Sequence, residues 1–165
     1  MNIQAIFGVS VLMSFLAFGI VAGVYIWPRL QAMQREDALR ALVVPHMFRF
    51  VGLSFLVPGV VWPSLPAAFA DPAAYGDLIA AGLAMLAVWA LSTRAAWANA
   101  ITWVFNVWGT ADLLHAVYQG QIGVGIDPAL LGAAFYIPTV IVPPLLITHG
   151  LIFWLLLRPQ HAVRA

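Results

Sequence analysis

Asp112 and His115 are the residues whose types and spacing most directly suggest chemistry. They lie three residues apart in the apolar stretch from Ala98 to Gln119, and on a helix this spacing makes two side chains neighbours. A carboxylate so placed can accept the imidazole N–H, and such a pair can relay protons or act as acid and base. We take Asp112 and His115 as the candidate catalytic pair. The alternative is a pair at a helix end, exposed to the lipid headgroups.

A second polar group comes from two other apolar stretches. Arg49 follows His46 by three residues and should project from the same side of its helix. Counted from the flanking arginines at about 1.5 Å per residue, His46 and His149 reach similar depths. Two imidazoles and an arginine suit an anion or a cofactor, and facing histidines can hold a haem iron. The alternative is structural: Arg49 reaches the headgroups, His46 lies at the interface beside Pro45, and His149 bonds to a carbonyl freed by Pro144.

The same count of residues separates the two groups. It places Asp112 and His115 in the outer half of the membrane, on the opposite side from His46, Arg49 and His149, with Asn106 between them. Tyr136 and Thr139 are expected beside the outer pair. We predict that the ligand-binding residues are His46, Arg49, Asn106, Tyr136 and His149.

No metal site is expected at Asp112 and His115. A metal needs further ligands, and only Asp77 or Asp127 could approach from nearby loops. Haem at His46 and His149 is the one metal cofactor that the sequence suggests, and the identity of any cofactor is otherwise open.

The composition shows which elements must position these residues. Hydrophobic residues make up 64% of the 165 residues and charged residues 8%, which is typical of a polytopic membrane protein and not of a soluble domain. Cysteine is absent, which excludes disulfides, zinc-thiolate sites and cysteine nucleophiles. All seven basic residues are arginine, so Schiff-base chemistry on lysine is excluded as well. A net charge of +1 gives no basic surface for nucleic acid.

The stretch from Ala98 to Gln119 predicts a central helix. At 3.6 residues per turn its polar and small side chains form one broad stripe, and Asp112 and His115 project from another side. Because uncompensated polar groups are costly in hydrocarbon, this helix should lie inside a bundle and not against lipid. The stripe consists of Asn99, Thr102, Asn106, Thr110 and Leu113.

We therefore predict an all-α membrane bundle of five transmembrane helices in a single domain, 1–165. Three prolines indicate a loop from Trp62 to Asp77, with a helix beginning at Asp71-Pro72 or Gly76-Asp77. Pro138, Pro143 and Pro144 predict a kink in the last stretch, or a short interfacial piece before a span that begins near residue 139. The predicted spans are 3–27, 42–62, 77–93, 98–119 and 133–157.

The arginines predict the orientation. They flank the first and third connections and the tail, whereas the second and fourth connections have none. By the positive-inside rule the amino terminus is outside and the carboxyl terminus inside. The alanine-rich and arginine-rich composition favours a bacterial inner membrane.

These patterns predict an integral membrane protein with an internal polar pocket that binds a small or lipid-like ligand, with proton transfer as an additional capability. One alternative is a b-type haem electron carrier that uses His46 and His149. Another is a structural or assembly subunit of a larger membrane complex, in which the polar residues only fasten helices. The expected partners are membrane lipid and further copies or subunits of a membrane complex, without nucleic acid.

Overall fold

The structure, a computed structural model, describes residues 1–158. These residues are 85% helical, and four of the helices among them are long and apolar enough to cross a membrane, as expected of a multi-pass membrane protein. These four are α1 (Ile3–Ala32), α2 (Arg35–Leu56), α3 (Ala67–Ser92) and α5 (Ile137–Leu157). A further helix, α4 (Ala98–Tyr118), lies between α3 and α5 in sequence.

Helix α4 is the stretch predicted to be central. It packs against both α3 and α5, and Thr102, Asn106 and Leu113 of its predicted stripe are buried. Asn99 and Thr110 are half-buried. Its polar residues leave α4 outside the four helices that qualify as spans by apolarity, so five crossings and their orientation stay predictions.

The boundaries of α1 and α2 differ from those predicted. Helix α1 continues to Ala32 and α2 begins at Arg35, so the charged stretch after Pro28 is almost wholly helical. Acidic residues Glu36 and Asp37 occupy the first turn of α2, where the helix dipole favours negative charge. Helix α2 ends at Leu56, six residues before the predicted limit.

The predicted loop from Trp62 to Asp77 is helical in its second half. Helix α3 starts at Ala67, directly after Pro66, and continues through Pro72. Alanine is the strongest helix former, and the alanine-rich sequence around Pro72 outweighs the single backbone hydrogen bond that proline removes near a helix start. Asp77 is therefore inside α3 and buried, at 8% exposure.

The interruption predicted before the last span is present. Residues Pro128–Phe135 form two short 3-10 turns separated by a kink at Gly132, and α5 follows from Ile137. Backbone bonds from Trp62 N–H to the Leu130 carbonyl (3.0 Å) and from Ala133 N–H to the Val60 carbonyl (2.9 Å) tie this segment to the chain after α2. Gly132 has φ +51°, and a Cβ there would overlap the Val60 carbonyl, so glycine is required.

Two apolar clusters form the core, and the buried polar side chains of the bundle lie between them. One contains Leu39, Leu91 and Phe105, the other Phe55 and Phe69. At the end of the bundle where α2 begins, Arg35 donates hydrogen bonds to the carbonyls of Leu155 and Leu156 near the end of α5 (3.0 and 3.1 Å). These bonds satisfy carbonyls that a helix end leaves without partners.

Candidate functional site

The second half of α2 aligns the side chains of the site. Val44–Leu56 is a 3-10 helix with Pro45 in its first turn. A 3-10 helix has about three residues per turn, so every third side chain falls in one straight row. The buried residues of this segment are His46, Arg49, Gly52 and Phe55, which form that row and face the bundle interior.

Arg49 is the centre of the site. It is 1% exposed and donates from Nε to Asp77 Oδ1 (2.7 Å), from Nη1 to the Gly109 carbonyl (3.0 Å) and from Nη2 to Asp112 Oδ2 (2.5 Å). One guanidinium thus connects α2, α3 and α4. Charge-assisted bonds to carboxylates are the strong class of hydrogen bond, and breaking a buried pair of this kind is costly.

Glycines make room for the two carboxylates. A Cβ added to Gly52 would overlap the carboxylate of Asp77, and one added to Gly76 would overlap that of Asp112. Because both overlaps involve side chains already fixed by Arg49, neither carboxylate can move aside without losing its bond. The glycines let α2, α3 and α4 approach at this level.

Gly109 has the same role on α4. A Cβ there would lie 2.7 Å from His149 Cε1 and 2.9 Å from Arg49 Nη1. The His149 ring and the Arg49 guanidinium therefore share the space that the absent side chain leaves. The carbonyl of Gly109 also accepts a hydrogen bond from Arg49. Both the space beside its Cα and its carbonyl oxygen are therefore occupied by site residues.

His149 is held by Asn106 through two bonds. His149 Nδ1 lies 2.7 Å from Asn106 Oδ1, and Asn106 Nδ2 donates to the His149 carbonyl at 3.3 Å. Since the amide oxygen only accepts, this network assigns the ring proton to Nδ1 and leaves a lone pair on Nε2. That Nε2 is buried and has no hydrogen-bond partner among residues 1–158.

His46 packs directly on His149, with ring centroids 4.2 Å apart. His46 Nε2 lies 2.9 Å from Thr148 Oγ1, which is itself within donating distance of two carbonyls of α5. The threonine proton therefore goes to a carbonyl and the hydroxyl accepts from His46 Nε2. His46 Nδ1 is then a second buried nitrogen without a partner in the described chain.

A cavity of about 390 Å³ lies between α1 and α4, beside Asp77 and Asp112. Its lining is apolar except for these two carboxylates and Gln121. Gln121 follows Asp112 by nine residues, so at about 1.5 Å per residue the cavity extends some 14 Å from its acidic end. The walls include Phe7, Gly8, Val11 and Phe15 of α1, Leu113, Leu114, Ala116 and Val117 of α4, and Ile137, Val142 and Leu146 of α5.

The cavity has access from the side of the bundle. Phe15, Leu114 and Val117 in its wall are 38%, 54% and 46% exposed. In a membrane these side chains would face hydrocarbon, and an apolar molecule could enter between α1 and α4 without passing through water.

Asp112 also borders a second, more open space. This groove contains Tyr75 and Gly76 of α3 and Trp108 and His115 of α4. Asp112 is therefore the residue that lines both spaces. A group with access to two separate spaces is suited to taking a proton from one and presenting it to the other.

The structure combines residues that the sequence analysis separated. His46, Arg49, Asn106 and His149 lie together, but the prediction that Asp112 lies across the membrane from them is wrong, because Arg49 bonds to it. A 3-10 helix rises about 2.0 Å per residue instead of 1.5 Å. Over the five residues from Val44 to Arg49 this adds about 2.5 Å, and the long arginine side chain, which a count of backbone residues leaves out, spans the remaining distance to Asp112.

The predicted bond between Asp112 and His115 is not present. His115 is exposed and its Nε2 lies 3.3 Å from Gln119 Nε2, whereas the partner of Asp112 is Arg49. His115 borders the groove beside Asp112. Tyr136 is 65% exposed and lines neither space, while Thr139 is buried and bonds to the carbonyl of Phe135.

Asp77 is the site residue that sequence reasoning missed. It was assigned to a loop because of the prolines before it. The charges in the sequence could have identified it. A buried arginine needs a negative charge nearby, and Asp77 is the acidic residue at the start of the neighbouring predicted span.

The arrangement argues against three readings of the inner group. Arg49 is 1% exposed, so it does not reach the headgroups, and two carboxylates already face its charge, so it is unsuited to binding a further anion. His46 and His149 are in ring-to-ring contact, which leaves no room for a porphyrin between them. The haem hypothesis does not fit this geometry.

The comparisons with known proteins give a family but no described activity. No curated protein and no solved structure matches the chain. A family model described as a domain of unknown function matches residues 6–157, which cover all five helices and the site. The chain therefore belongs to this family, DUF8737.

Proposed function

We propose that this protein binds a lipid-like molecule in the cavity between α1 and α4, with the polar end of the ligand at Asp77 and Asp112. The carrying observation is the combination of an apolar wall and two carboxylates held in place by one buried arginine. Ligand sites are typically apolar with a few fixed polar groups that orient the ligand. The opening between α1 and α4 suits a ligand that arrives from the bilayer.

Proton transfer at Asp112 is the second part of the proposal. Asp112 is bonded through Oδ2 to Arg49 and lies against both the cavity and the groove that holds His115. A proton received from the groove side would then be available to a ligand in the cavity. Asp77, more deeply buried and bonded to the same arginine, has the role of keeping Arg49 in position.

Three polar residues lie on the side of Arg49 away from the cavity and do not line it: His46, Asn106 and His149. They fill the space between α2, α4 and α5, and the His149 ring lies against the backbone of Gly109 next to Arg49. Their function is to position the guanidinium.

The test uses two positions on α1. Gly8 lines the cavity and Gly19 does not, and a Cβ at either position meets no atom within 4 Å. Gly8→Phe should fill the cavity without disturbing packing, and Gly19→Phe is the matched control. Mass spectrometry of gently extracted protein should show a bound amphiphile on the wild type and on Gly19→Phe, with retention strongly reduced in Gly8→Phe. Equal retention in all three proteins would place the bound molecule elsewhere and refute the proposed site.

A further inference from the structure

The charges beside the cavity do not balance. Asp77 and Asp112 both bond to Arg49, so if both carboxylates are ionised one negative charge is in excess. Among residues 1–158 no other arginine or histidine lies within salt-bridge distance of either carboxylate. An uncompensated charge in an apolar interior is costly, so a proton or another cation must accompany this site.

The neighbouring elements do not provide that cation. Helix α1, which forms the far wall, has no acidic, basic or histidine side chain between Ile3 and Trp27. His149 of α5 and His46 of α2 are on the other side of Arg49, where a second positive charge would face the guanidinium. His115 of α4 borders only the groove.

From these observations we infer that the ligand of the cavity is an amphiphile with a cationic, amine-type headgroup, and that this headgroup and a proton compete for Asp112. The inference rests on the proposed ligand site. The headgroup would lie against Asp112 and Asp77, and its hydrocarbon chain would extend along α1 and α4 toward Gln121.

Anionic and neutral headgroups fit less well. An anion would meet two carboxylates, while the one nearby cation has its nitrogens bonded already. A neutral headgroup leaves the excess charge to be cancelled by a proton alone. A cation replaces that proton, so binding releases a proton and becomes weaker as pH falls.

The experiment uses the full chain in lipid nanodiscs and three probes with the same dodecyl chain: dodecyltrimethylammonium, dodecanol and dodecyl sulfate. We expect the cation to bind about tenfold more tightly than the alcohol, equivalent to about 1.4 kcal/mol, and the sulfate more weakly than both. Calorimetry in buffers of different ionisation enthalpy should show release of about one proton when the cation binds and none when the alcohol binds.

Asp112→Asn should remove both the preference for the cation over the alcohol and the proton release. Glu36→Gln, a half-buried position in the first turn of α2 that lines neither space, is the matched control and should bind all three probes as the wild type does. If Asp112→Asn fails to fold, the wild-type measurements still decide. Binding of the alcohol as tight as that of the cation, or cation binding without proton release, overturns the inference and leaves the proposed cavity standing. If no probe binds, or if Gly8→Phe binds all of them normally, the proposed function fails instead.

Discussion

At the scale of single residues, one arginine decides how the site is built. Arg49 has its three bonds in three directions, two of them to carboxylates and one to a backbone carbonyl. Lysine could supply the charge but not this planar set of donors. The sequence indicated Arg49 as a ligand-binding residue but left open whether it faces the bundle interior or the headgroups, and its partners required the fold.

Loss of Arg49 should be among the most damaging substitutions in the protein. Arg49→Ala leaves two buried carboxylates without their common partner, and we expect a loss of ~3 to 5 kcal/mol in unfolding free energy. Arg40→Ala is the control, because Arg40 forms an exposed pair with Asp37 and such pairs contribute about 0 to 1 kcal/mol. Equilibrium unfolding in mixed micelles measures both. Equal losses of unfolding free energy in the two variants would show that the buried bonds of Arg49 do not hold the helices together.

Two substitutions at Asp112 distinguish a role in ligand binding and proton exchange from a purely structural role. Asp112→Asn keeps an oxygen that can accept from Arg49 Nη2 but removes the charge, so folded yield should stay near that of the wild type while proton exchange is lost. Asp112→Leu leaves the donor unpaired and should reduce folded yield as well. His115→Gln, in the groove, should change neither the yield nor ligand binding. Normal ligand binding and proton exchange by the asparagine variant would show that Asp112 only fastens helices.

At the scale of elements, the site depends on helices that approach closely at particular glycines. Apolar stretches and small residues are visible in the sequence, and three of the five stripe residues of α4 are buried. The expectation that α4 lies wholly inside the bundle is wrong, because Val104 and Val107 on its other side are exposed. The 3-10 segment of α2 was not predicted, since its hydrophobic pattern resembles that of any apolar helix. The row of His46, Arg49 and Gly52 follows from that geometry, and so does the contact with Asp112.

Gly109→Ala tests this close approach. The added methyl group would press on the His149 ring and the Arg49 guanidinium, so we expect a loss of about 1 to 3 kcal/mol. Gly82→Ala on α3 is the matched control: its Cβ meets nothing within 4 Å, and alanine in a helix interior should stabilise by roughly 0.5 to 1 kcal/mol. Both are measured by the same unfolding assay. A tolerated Gly109→Ala would mean that α4 and α5 are farther apart at this level.

The start of α3 shows why the rest of the site was not predictable. Prolines usually mark loops, and Asp71-Pro72 has the sequence of a helix start. Contacts with the second half of α2, the element that α3 packs against most extensively, stabilise a helix that begins earlier. Asp77 is consequently buried, and only tertiary structure reveals this.

At the scale of the whole molecule, the distribution of arginines predicts how the bundle crosses the membrane. Arg35 bonds to the end of α5, so the start of α2 and the end of α5 are at the same end of the bundle. That agrees with an inside position for both. The cavity would then open toward the outer leaflet, since Gln121 follows α4 at the opposite end.

Reporter fusions test the orientation and the crossing by α4 together. Alkaline phosphatase fused after Gln121 should be active, because that point is predicted to be outside, and the fusion after Arg94 should be inactive. Activity at both points would mean that α4 does not cross the membrane. The reverse pattern would invert the molecule.

The most direct test of ligand binding in the cavity is to map where an amphiphile lies on the protein. A dodecylamine derivative with a diazirine at the end of its chain should, on illumination in nanodiscs, label peptides that contain Phe7 to Phe15 and Leu113 to Val117. Excess unlabelled dodecyltrimethylammonium should suppress this labelling. Trp89 and Val104 lie outside the cavity and are 57% and 55% exposed. If they are labelled as strongly as the cavity wall, labelling follows general exposure, and this result would contradict ligand binding in the cavity.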